Sequence, residues 1–243
     1  MEKVNGIVIK ERDYKETSKI ITLITKEYGI INLLAKGARR VKSNLRINTR
    51  KLTYGEFTII YRKDGLSTLI SVDSSNSFNN VILDIKKTAY VSYLCELTKQ
   101  VISQNSDMLV YDIFFDSLSK INSNLDPAVI TNILELKYLD YLGVGLNLDG
   151  CSVCNSKDVI TLSVNMGGYV CKTHRTSEYI VDKKTLKIIR LLKNTDIKSI
   201  KNINLSVLVK EETNKFIDEY YDKYTGLYRK SKEFIKDIEN MID

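Results

Sequence analysis

The sequence contains no tryptophan, a single proline, a single histidine and four cysteines in 243 residues. With Pro127 alone there is no proline-rich linker, and without tryptophan there is no large aromatic cage. His174 supplies the one imidazole, so a Ser–His or Cys–His catalytic pair has a single candidate base. The chain also lacks a Gly-x-x-x-x-Gly-Lys-Ser/Thr phosphate loop, which argues against an ATPase.

Long apolar runs are missing as well. Lys, Asp, Asn or Gly interrupts every apolar run well before the ~20 residues that a membrane-spanning helix needs. The N-terminus carries Glu2 and Glu11 around a short apolar run and has no small-residue cleavage site, which is not typical of a signal peptide. We therefore expect a cytoplasmic protein that does not enter a membrane and whose cysteines stay reduced.

Positive charge is concentrated at one end of the chain. Residues 1–80 contain 15 Lys and Arg against 8 Asp and Glu, a surplus of 7, whereas residues 81–243 contain 22 of each sign. The whole net charge of +7 therefore lies in the first third. Such a field attracts a polyanion, although a basic surface that serves only solubility is the alternative.

The sequence pattern of the first third of the chain predicts β-strands. Five short segments are rich in β-branched residues and separated by turn signals such as Asp64-Gly65. These segments are Gly6–Lys10, Lys19–Ile24, Gly29–Ala35, Glu56–Tyr61 and Ser67–Val72. Five such strands favour a small barrel, and the OB-fold is a five-stranded barrel that binds oligonucleotides. An SH3-like barrel remains the alternative.

Beyond residue 80 the apolar spacing becomes helical. The pattern predicts helices over 81–102, 109–121, 183–193, 206–224 and 231–240, and one that Asp126 caps and Pro127 opens, running through Leu142. Residues 149–176 break this periodicity. The sequence therefore predicts an α+β protein: an N-terminal five-stranded OB-fold β-barrel in residues 1–80, then an α-helical domain in residues 81–243 with an inserted segment at 149–176.

Four side chains of metal-ligand type lie in that inserted segment as two close pairs. Cys151 and Cys154 form the first pair, and Cys171 and His174 the second, each with two residues between its members. A tight turn points both side chains of such a pair at one ion, and Gly167-Gly168 favours a hairpin that joins the pairs. Three thiolates and one imidazole fill a tetrahedral shell with no open position. The sequence therefore predicts one structural Zn²⁺, in preference to ordinary buried cysteines.

Catalytic interpretations of these cysteines fit less well. A thioredoxin-like Cys-x-x-Cys opens a helix and needs no second pair. A zinc deaminase needs a His-x-Glu element ahead of its cysteines, and here His174 comes last. The remaining cysteine, Cys95, lies on a predicted helix and is expected to be a small core residue. We therefore predict no catalytic residues and a protein that is not an enzyme.

The stretch between Glu27 and Glu56 contains no acidic residue. Seven cations fall within sixteen of its positions: Lys36, Arg39, Arg40, Lys42, Arg46, Arg50 and Lys51. In the barrel interpretation this stretch is the long connection between strands three and four. Seven cations on one loop favour DNA binding that is independent of base sequence and weakens steeply with salt. Docking of the loop on an acidic protein is the alternative.

Aromatic residues around the predicted barrel are candidates for stacking on bases. They are Tyr14, Tyr28, Tyr54, Phe57 and Tyr61. Several of them must instead fill the barrel core, and for any one of them a core position is favoured over stacking.

Particular segments resemble a known family, the bacterial recombination mediator family RecO. Its N-terminal barrel is similar to Gly6–Lys10, Arg12–Tyr14, Ser18–Ile20, Leu23–Thr25 and above all Ala35–Arg40. Its zinc-bearing part resembles Tyr141–Gly143, Gly145-Leu146, Leu148-Asp149, Cys151, Cys154, Gly167-Gly168 and Cys171, and its C-terminal signature resembles Gly226–Ser231. His174 departs from the family, since many members carry Cys there, but His is also a competent zinc ligand.

The resemblance implies an OB-fold, a helical domain with zinc, and a bacterial cytoplasmic, nucleoid-associated protein. It implies binding of single- and double-stranded DNA, annealing of complementary strands, and help in loading RecA onto strands coated by single-stranded DNA-binding protein (SSB). The implied partners are RecR and the acidic C-terminal tail of SSB. For that tail we expect a cationic group beside an apolar groove in the helical domain, at residues that the sequence does not identify.

Three hypotheses thus follow from the sequence. The first is a non-enzymatic DNA-binding repair mediator. The second is a zinc-stabilised protein-interaction scaffold whose basic loop docks on an acidic protein. The third is a zinc enzyme, which would need an open coordination position.

Overall fold

A computed structural model describes residues 1–242 of the chain. Five strands form a closed barrel in the order β1-β2-β3-β5-β4. They are β1 (Glu2–Tyr14), β2 (Ser18–Thr25), β3 (Gly29–Ala35), β4 (Thr53–Ile60) and β5 (Ser67–Ser77). Neighbouring strands run antiparallel except β3 and β5, which pair in parallel. The predicted N-terminal five-stranded, OB-like barrel is confirmed.

The barrel core explains where the basic loop begins. Val8, Leu23, Leu33 and Phe57 are fully buried inside the barrel, as strand alternation requires. Ala38, three residues beyond the end of β3, is also fully buried in this cluster. Burial of apolar surface therefore fixes the chain on the barrel just before the first arginines of the loop.

Helices follow the barrel and account for most of the remaining chain. After the short α1 (Leu45–Asn48) inside the basic loop they are α2 (Asn79–Ile82), α3 (Ile85–Gln104), α4 (Met108–Asn122), α5 (Pro127–Tyr141), α6 (Lys183–Asn194), α7 (Val207–Tyr224) and α8 (Lys230–Ile242). None of the helices in residues 1–242 combines the length and the apolar character that crossing a bilayer requires. The predicted α+β class, with helices after the barrel, is confirmed.

Two helix boundaries show how local chemistry sets the ends. The prediction of one helix from residue 81 to 102 was wrong, because Asp84 adopts an extended conformation and begins α3 as its N-cap. Its Oδ1 accepts a hydrogen bond from the Lys87 N–H at 3.0 Å. The prediction at α5 is confirmed: Asp126 accepts from the Ala128 N–H at 2.9 Å, and Pro127 is the first helical residue.

The chain divides into two compact units, the first spanning Met1–Phe115 and the second starting at Asp116. The first unit therefore includes α3 as well as the barrel, and a salt bridge of 2.9 Å from Lys26 to Asp112 lies within it. The change from strands to helices and the division into compact units thus fall at different points. The domain boundary after residue 80 stays a prediction.

Within the second unit, ion pairs hold the segment Gly226–Ser231 and the adjoining Lys232. The Arg229 guanidinium contacts Asp218 at 2.9 Å, and Lys232 contacts Asp218 at 2.6 Å and the fully buried Glu135 of α5 at 2.5 Å. Charges this deeply buried need such partners. These ion pairs therefore join the start of α8 to Asp218 of α7 and to Glu135 of α5.

Candidate metal centre and nucleic-acid interface

A two-stranded hairpin carries the second ligand pair. Strands β6 (Val159–Ser163) and β7 (Gly168–Cys171) pair antiparallel, so that Cys171 ends β7 and His174 lies in the turn after it. The His174 N–H donates to the Cys171 carbonyl at 3.2 Å, which closes that turn. The predicted hairpin between the two pairs is present.

Backbone hydrogen bonds join the first ligand pair to this hairpin. Asn147 forms an isolated bridge with Gly168, and the Ser152 N–H donates to the Tyr169 carbonyl at 2.7 Å. A Cβ added to Gly168 would lie 2.0 Å from the Asn147 carbonyl oxygen, and its φ is +152°. Only glycine allows this close approach of two backbones. Gly168 therefore brings the turn with Cys151 against the strand with Cys171.

The four predicted ligands converge on one point. One ligand atom from each of Cys151, Cys154, Cys171 and His174 can be chosen so that all lie within 4.8 Å of one another, and the group can hold a metal ion. The Sγ atoms of Cys154 and Cys171 are 3.8 Å apart, and His174 Nδ1 lies 3.7 and 3.3 Å from the sulfurs of Cys151 and Cys171.

These separations fit a tetrahedral ion. Zinc bonds of about 2.3 Å to sulfur and 2.0–2.1 Å to nitrogen place two sulfurs about 3.8 Å apart and a sulfur and a nitrogen about 3.5 Å apart. A disulfide instead requires about 2.05 Å between sulfurs, and the cysteines of the chain are all free thiols. The donor set and its spacing therefore fit a structural metal with four protein ligands.

The turn around Cys151 also favours the thiolate that a metal requires. Burial raises the pKa of the Cys151 thiol, but hydrogen bonds from the backbone N–H groups of Cys154, Val153 and Cys171 outweigh burial and lower the pKa to about 6. Cys95, in contrast, is buried in α3 and its pKa rises to about 12, because burial disfavours its charged form. Cys95 is a core residue, as predicted.

The basic loop connects β3 to β4 and is folded rather than extended. Leu45 of α1 packs against the barrel core, and the buried Thr49 donates to the Leu45 carbonyl at 2.6 Å. The Asn48 side chain accepts a hydrogen bond from Ser75 of β5 at 2.9 Å. These contacts hold the loop on the barrel and turn its cations outward.

Six of the seven predicted cations are exposed: Lys36, Arg39, Arg40, Lys42, Arg46 and Arg50. Lys51 differs, because it is half-buried and its Nζ donates to Ser92 of α3 at 3.1 Å. Arg39 pairs with Asp13 at 3.2 Å. Across residues 1–242 no carboxylate lies within 4.0 Å of the charged groups of Arg40, Arg46 or Arg50.

Three arginines of the basic loop surround a recess, together with a lysine that the sequence analysis did not identify. Arg39, Arg46, Arg50 and Lys19 line a cavity of ≈ 330 Å³. Lys19 lies on β2, where it is paired with Ala35 at the end of β3, and it also forms a salt bridge with Glu11. The register of β2 against β3 is the signal that places Lys19 beside the loop. We call these four residues the cationic recess.

The aromatic candidates separate by exposure. Phe57 is buried in the barrel core, and the Tyr54 ring stacks on Phe78 with centroids 4.5 Å apart. Tyr28 stacks on Tyr61 at 4.2 Å, and Tyr14 is 37% exposed at the end of β1. Tyr14 and Tyr28 therefore retain accessible ring surface, whereas Phe57 is a core residue.

The second unit also carries a groove of ≈ 650 Å³ with cations around an aliphatic floor. The floor is formed by Val159, Ile160, Ile180, Val181 and Leu186. The charged residues are Lys172, Arg175, Lys183 and Lys187, with Asp158 as the one acid among the lining residues. We call this the cationic groove.

Comparison with known proteins identifies relatives over the full length of the chain. The family model described as Recombination protein O N terminal matches residues 1–78, and the one described as Recombination protein O C terminal matches residues 82–233. A DNA repair protein RecO of Halalkalibacterium halodurans is 34% identical over 98% of this chain and 96% of its own length. That of Listeria monocytogenes is 34% identical over 100% and 98%, and that of Bacillus subtilis 33% over 99% and 96%.

Proposed function

The chain belongs to the RecO family of DNA repair proteins, and on that premise we propose that it is a non-enzymatic, DNA-binding recombination mediator. It binds single- and double-stranded DNA, anneals complementary strands and, with RecR, helps RecA load onto SSB-coated single strands. The observation that carries the proposal is the cationic recess on the barrel, where Arg46 and Arg50 have no acidic partner among the described residues.

The recess suits the DNA backbone better than the bases. Guanidinium groups donate two parallel hydrogen bonds to phosphate oxygens, and several cations around one cavity surround a phosphate from more than one side. Phosphate contacts carry no sequence information, so binding is independent of base sequence. The exposed rings of Tyr14 and Tyr28 add stacking surface for unpaired bases.

Annealing follows from charge neutralisation. Two complementary strands repel each other through their phosphates, and a protein that neutralises part of that charge lowers the repulsion while leaving base edges free to pair. Pairing is itself favourable, so this function requires no nucleotide hydrolysis.

We further propose that the metal is one Zn²⁺ with a structural role. When bound, zinc supplies four bonds that hold the two turns together. Cys151 and Cys154 then fix the loop after α5, and Cys171 and His174 fix the end of the β6–β7 hairpin. All four positions are filled by the protein, which is the arrangement of structural sites.

The DNA-binding proposal is tested by titrating short labelled single-stranded and duplex oligonucleotides with the protein at several salt concentrations. We expect binding to both, with affinity that falls as a power of the salt concentration. Affinity that does not change between about 50 and 200 mM salt would contradict phosphate-directed binding. Failure to bind either oligonucleotide, with retained binding to an acidic protein, would favour the scaffold hypothesis.

The cationic groove is our candidate for the acidic C-terminal tail of SSB. Its lysines attract the acidic side chains and terminal carboxylate, and its aliphatic floor accepts apolar side chains. We expect Lys183→Gln with Lys187→Gln to weaken binding of a labelled tail peptide about tenfold, since each exposed ion pair contributes roughly 0.5–1 kcal/mol.

The matched control is Lys201→Gln with Lys230→Gln, which removes the same charge from exposed positions outside the groove. Fluorescence anisotropy of the peptide measures both. Equal peptide affinities for the two double variants would contradict binding of the SSB tail in this groove.

A further inference from the structure

The second unit has another groove, of opposite charge. It measures ≈ 630 Å³ and lies between β6, the segment 177–181 and one face of α7. Its apolar lining residues are Leu162, Val164, Tyr179, Val181 and Phe216. The charged lining residues are four glutamates and a single lysine: Glu178, Glu211, Glu212, Glu219 and Lys215. We call it the acidic groove.

Two of its glutamates are fixed by the fold. Glu178 accepts from the Ser163 hydroxyl at 2.5 Å and from the Thr176 N–H at 2.8 Å. Burial raises its pKa, but these hydrogen bonds lower it to about 2, so the carboxylate stays charged. Glu212 accepts from the Asp182 N–H at 3.0 Å and from Thr185. Both carboxylates therefore hold negative charge at defined positions.

The other two glutamates are exposed on α7. Glu211 and Glu219 are eight positions apart on the helix, and across residues 1–242 neither has an ion pair. Phe216 lies between them in the sequence; its side chain is buried and forms part of the groove floor. An apolar floor with uncompensated carboxylates on its rim fits a segment in which an apolar residue stands between two cations.

Such a segment is present in this chain, at the tip of the basic loop. Arg40, Val41 and Lys42 are consecutive and all exposed, and Val41 is 82% exposed. Among residues 1–242 neither Arg40 nor Lys42 has an acidic partner. The tip thus offers cation, aliphatic side chain and cation in the order that complements the rim and floor of the acidic groove.

We propose that the acidic groove binds the loop tip, Arg40–Lys42, of a second copy of this chain. The contact is head-to-tail, because the loop of one copy meets the groove of another. It also excludes DNA from the same cations, a consequence that rests on the DNA-binding role proposed above. Self-association and DNA binding therefore compete for Arg40 and Lys42, and an oligonucleotide that occupies these two cations weakens the contact between copies.

Sedimentation velocity at low salt tests this contact in the full-length chain. We expect the wild type to associate as its concentration rises, and salt or an oligonucleotide to dissociate it. Arg40→Glu with Lys42→Glu, and separately Glu211→Lys with Glu219→Lys, are each expected to remain monomeric. An equimolar mixture of these two double variants is expected to associate, because the reversed loop matches the reversed groove and the intact loop matches the intact groove.

Glu211→Gln with Glu219→Gln separates this contact from DNA binding. We expect it to abolish self-association and, at protein concentrations where the wild type is monomeric, to leave oligonucleotide affinity unchanged, whereas Glu233→Gln with Asp237→Asn, exposed on α8 and outside the groove, changes neither. A wild type that stays monomeric at low salt, or a mixture of reversed variants that does not associate, would overturn the proposal whether or not the chain binds DNA.

Discussion

Replacing Arg39, Arg40, Arg46 and Arg50 together by alanine is expected to reduce DNA affinity by about 100- to 1,000-fold at 0.1 M salt. Each phosphate contact releases counterions and adds roughly 0.9 to the slope of log affinity against log salt, so four contacts contribute a slope of about 3–4. Arg39 contributes least, because Asp13 already pairs with it at 3.2 Å. Titrations of a labelled duplex at several salt concentrations measure both affinity and slope.

A smaller pair of variants shows whether position matters as well as charge. Arg46→Ala with Arg50→Ala removes two cations from the recess, and Arg62→Ala with Lys63→Ala removes two exposed cations from the turn between β4 and β5. We expect the first pair to lower affinity and the salt slope more than the second. Equal losses would mean that DNA responds only to the net charge of the barrel.

The second large effect that we expect is a loss of folding stability when the metal is lost. Purified protein should contain about one zinc per chain, as one closed four-ligand cluster requires. His174→Ala removes one ligand. If free zinc exceeds its dissociation constant a thousandfold, losing the metal costs about 4 kcal/mol of unfolding free energy. The corresponding fall in melting temperature is roughly 10 °C, and calorimetry together with elemental analysis measures the two effects.

His174→Cys is the matched control for the metal site. A thiolate at this position completes a four-cysteine shell, so this variant should keep the zinc and most of the stability. Both variants should retain DNA affinity at temperatures where they are folded, because the cationic recess is built from the barrel. A wild-type protein that contains no metal, or a His174→Ala variant with an unchanged melting temperature, would contradict a structural metal site.

Local signals in the sequence were sufficient for several features. Spacing alone identified the two ligand pairs, because a turn of four residues is a local structure and its chemistry is visible in the residue types. The Asp126-Pro127 helix start and the β-branched strands were found for the same reason. The absence of acids from residues 28–55 likewise identified the loop that carries the exposed arginines.

Features made by distant segments were not visible in the sequence. Lys19 reaches the recess through the pairing of β2 with β3, and Lys51 turns toward Ser92, which lies 41 positions away. Asp84 interrupts a continuous helical pattern, because its backbone is extended and its side chain caps the N-terminus of α3 there. Both grooves of the second unit combine the β6–β7 region with helices α6 or α7. Such arrangements depend on packing, which residue spacing does not specify.

The most direct test of the proposed function is the annealing of complementary single strands that are first coated with SSB, measured without nucleotide and with or without RecR. We predict that the wild type accelerates pairing, that the quadruple arginine variant does not, and that His174→Cys behaves as the wild type. A wild type that binds DNA with the expected salt dependence yet leaves the pairing rate of coated strands unchanged, even with RecR present, would contradict the mediator role.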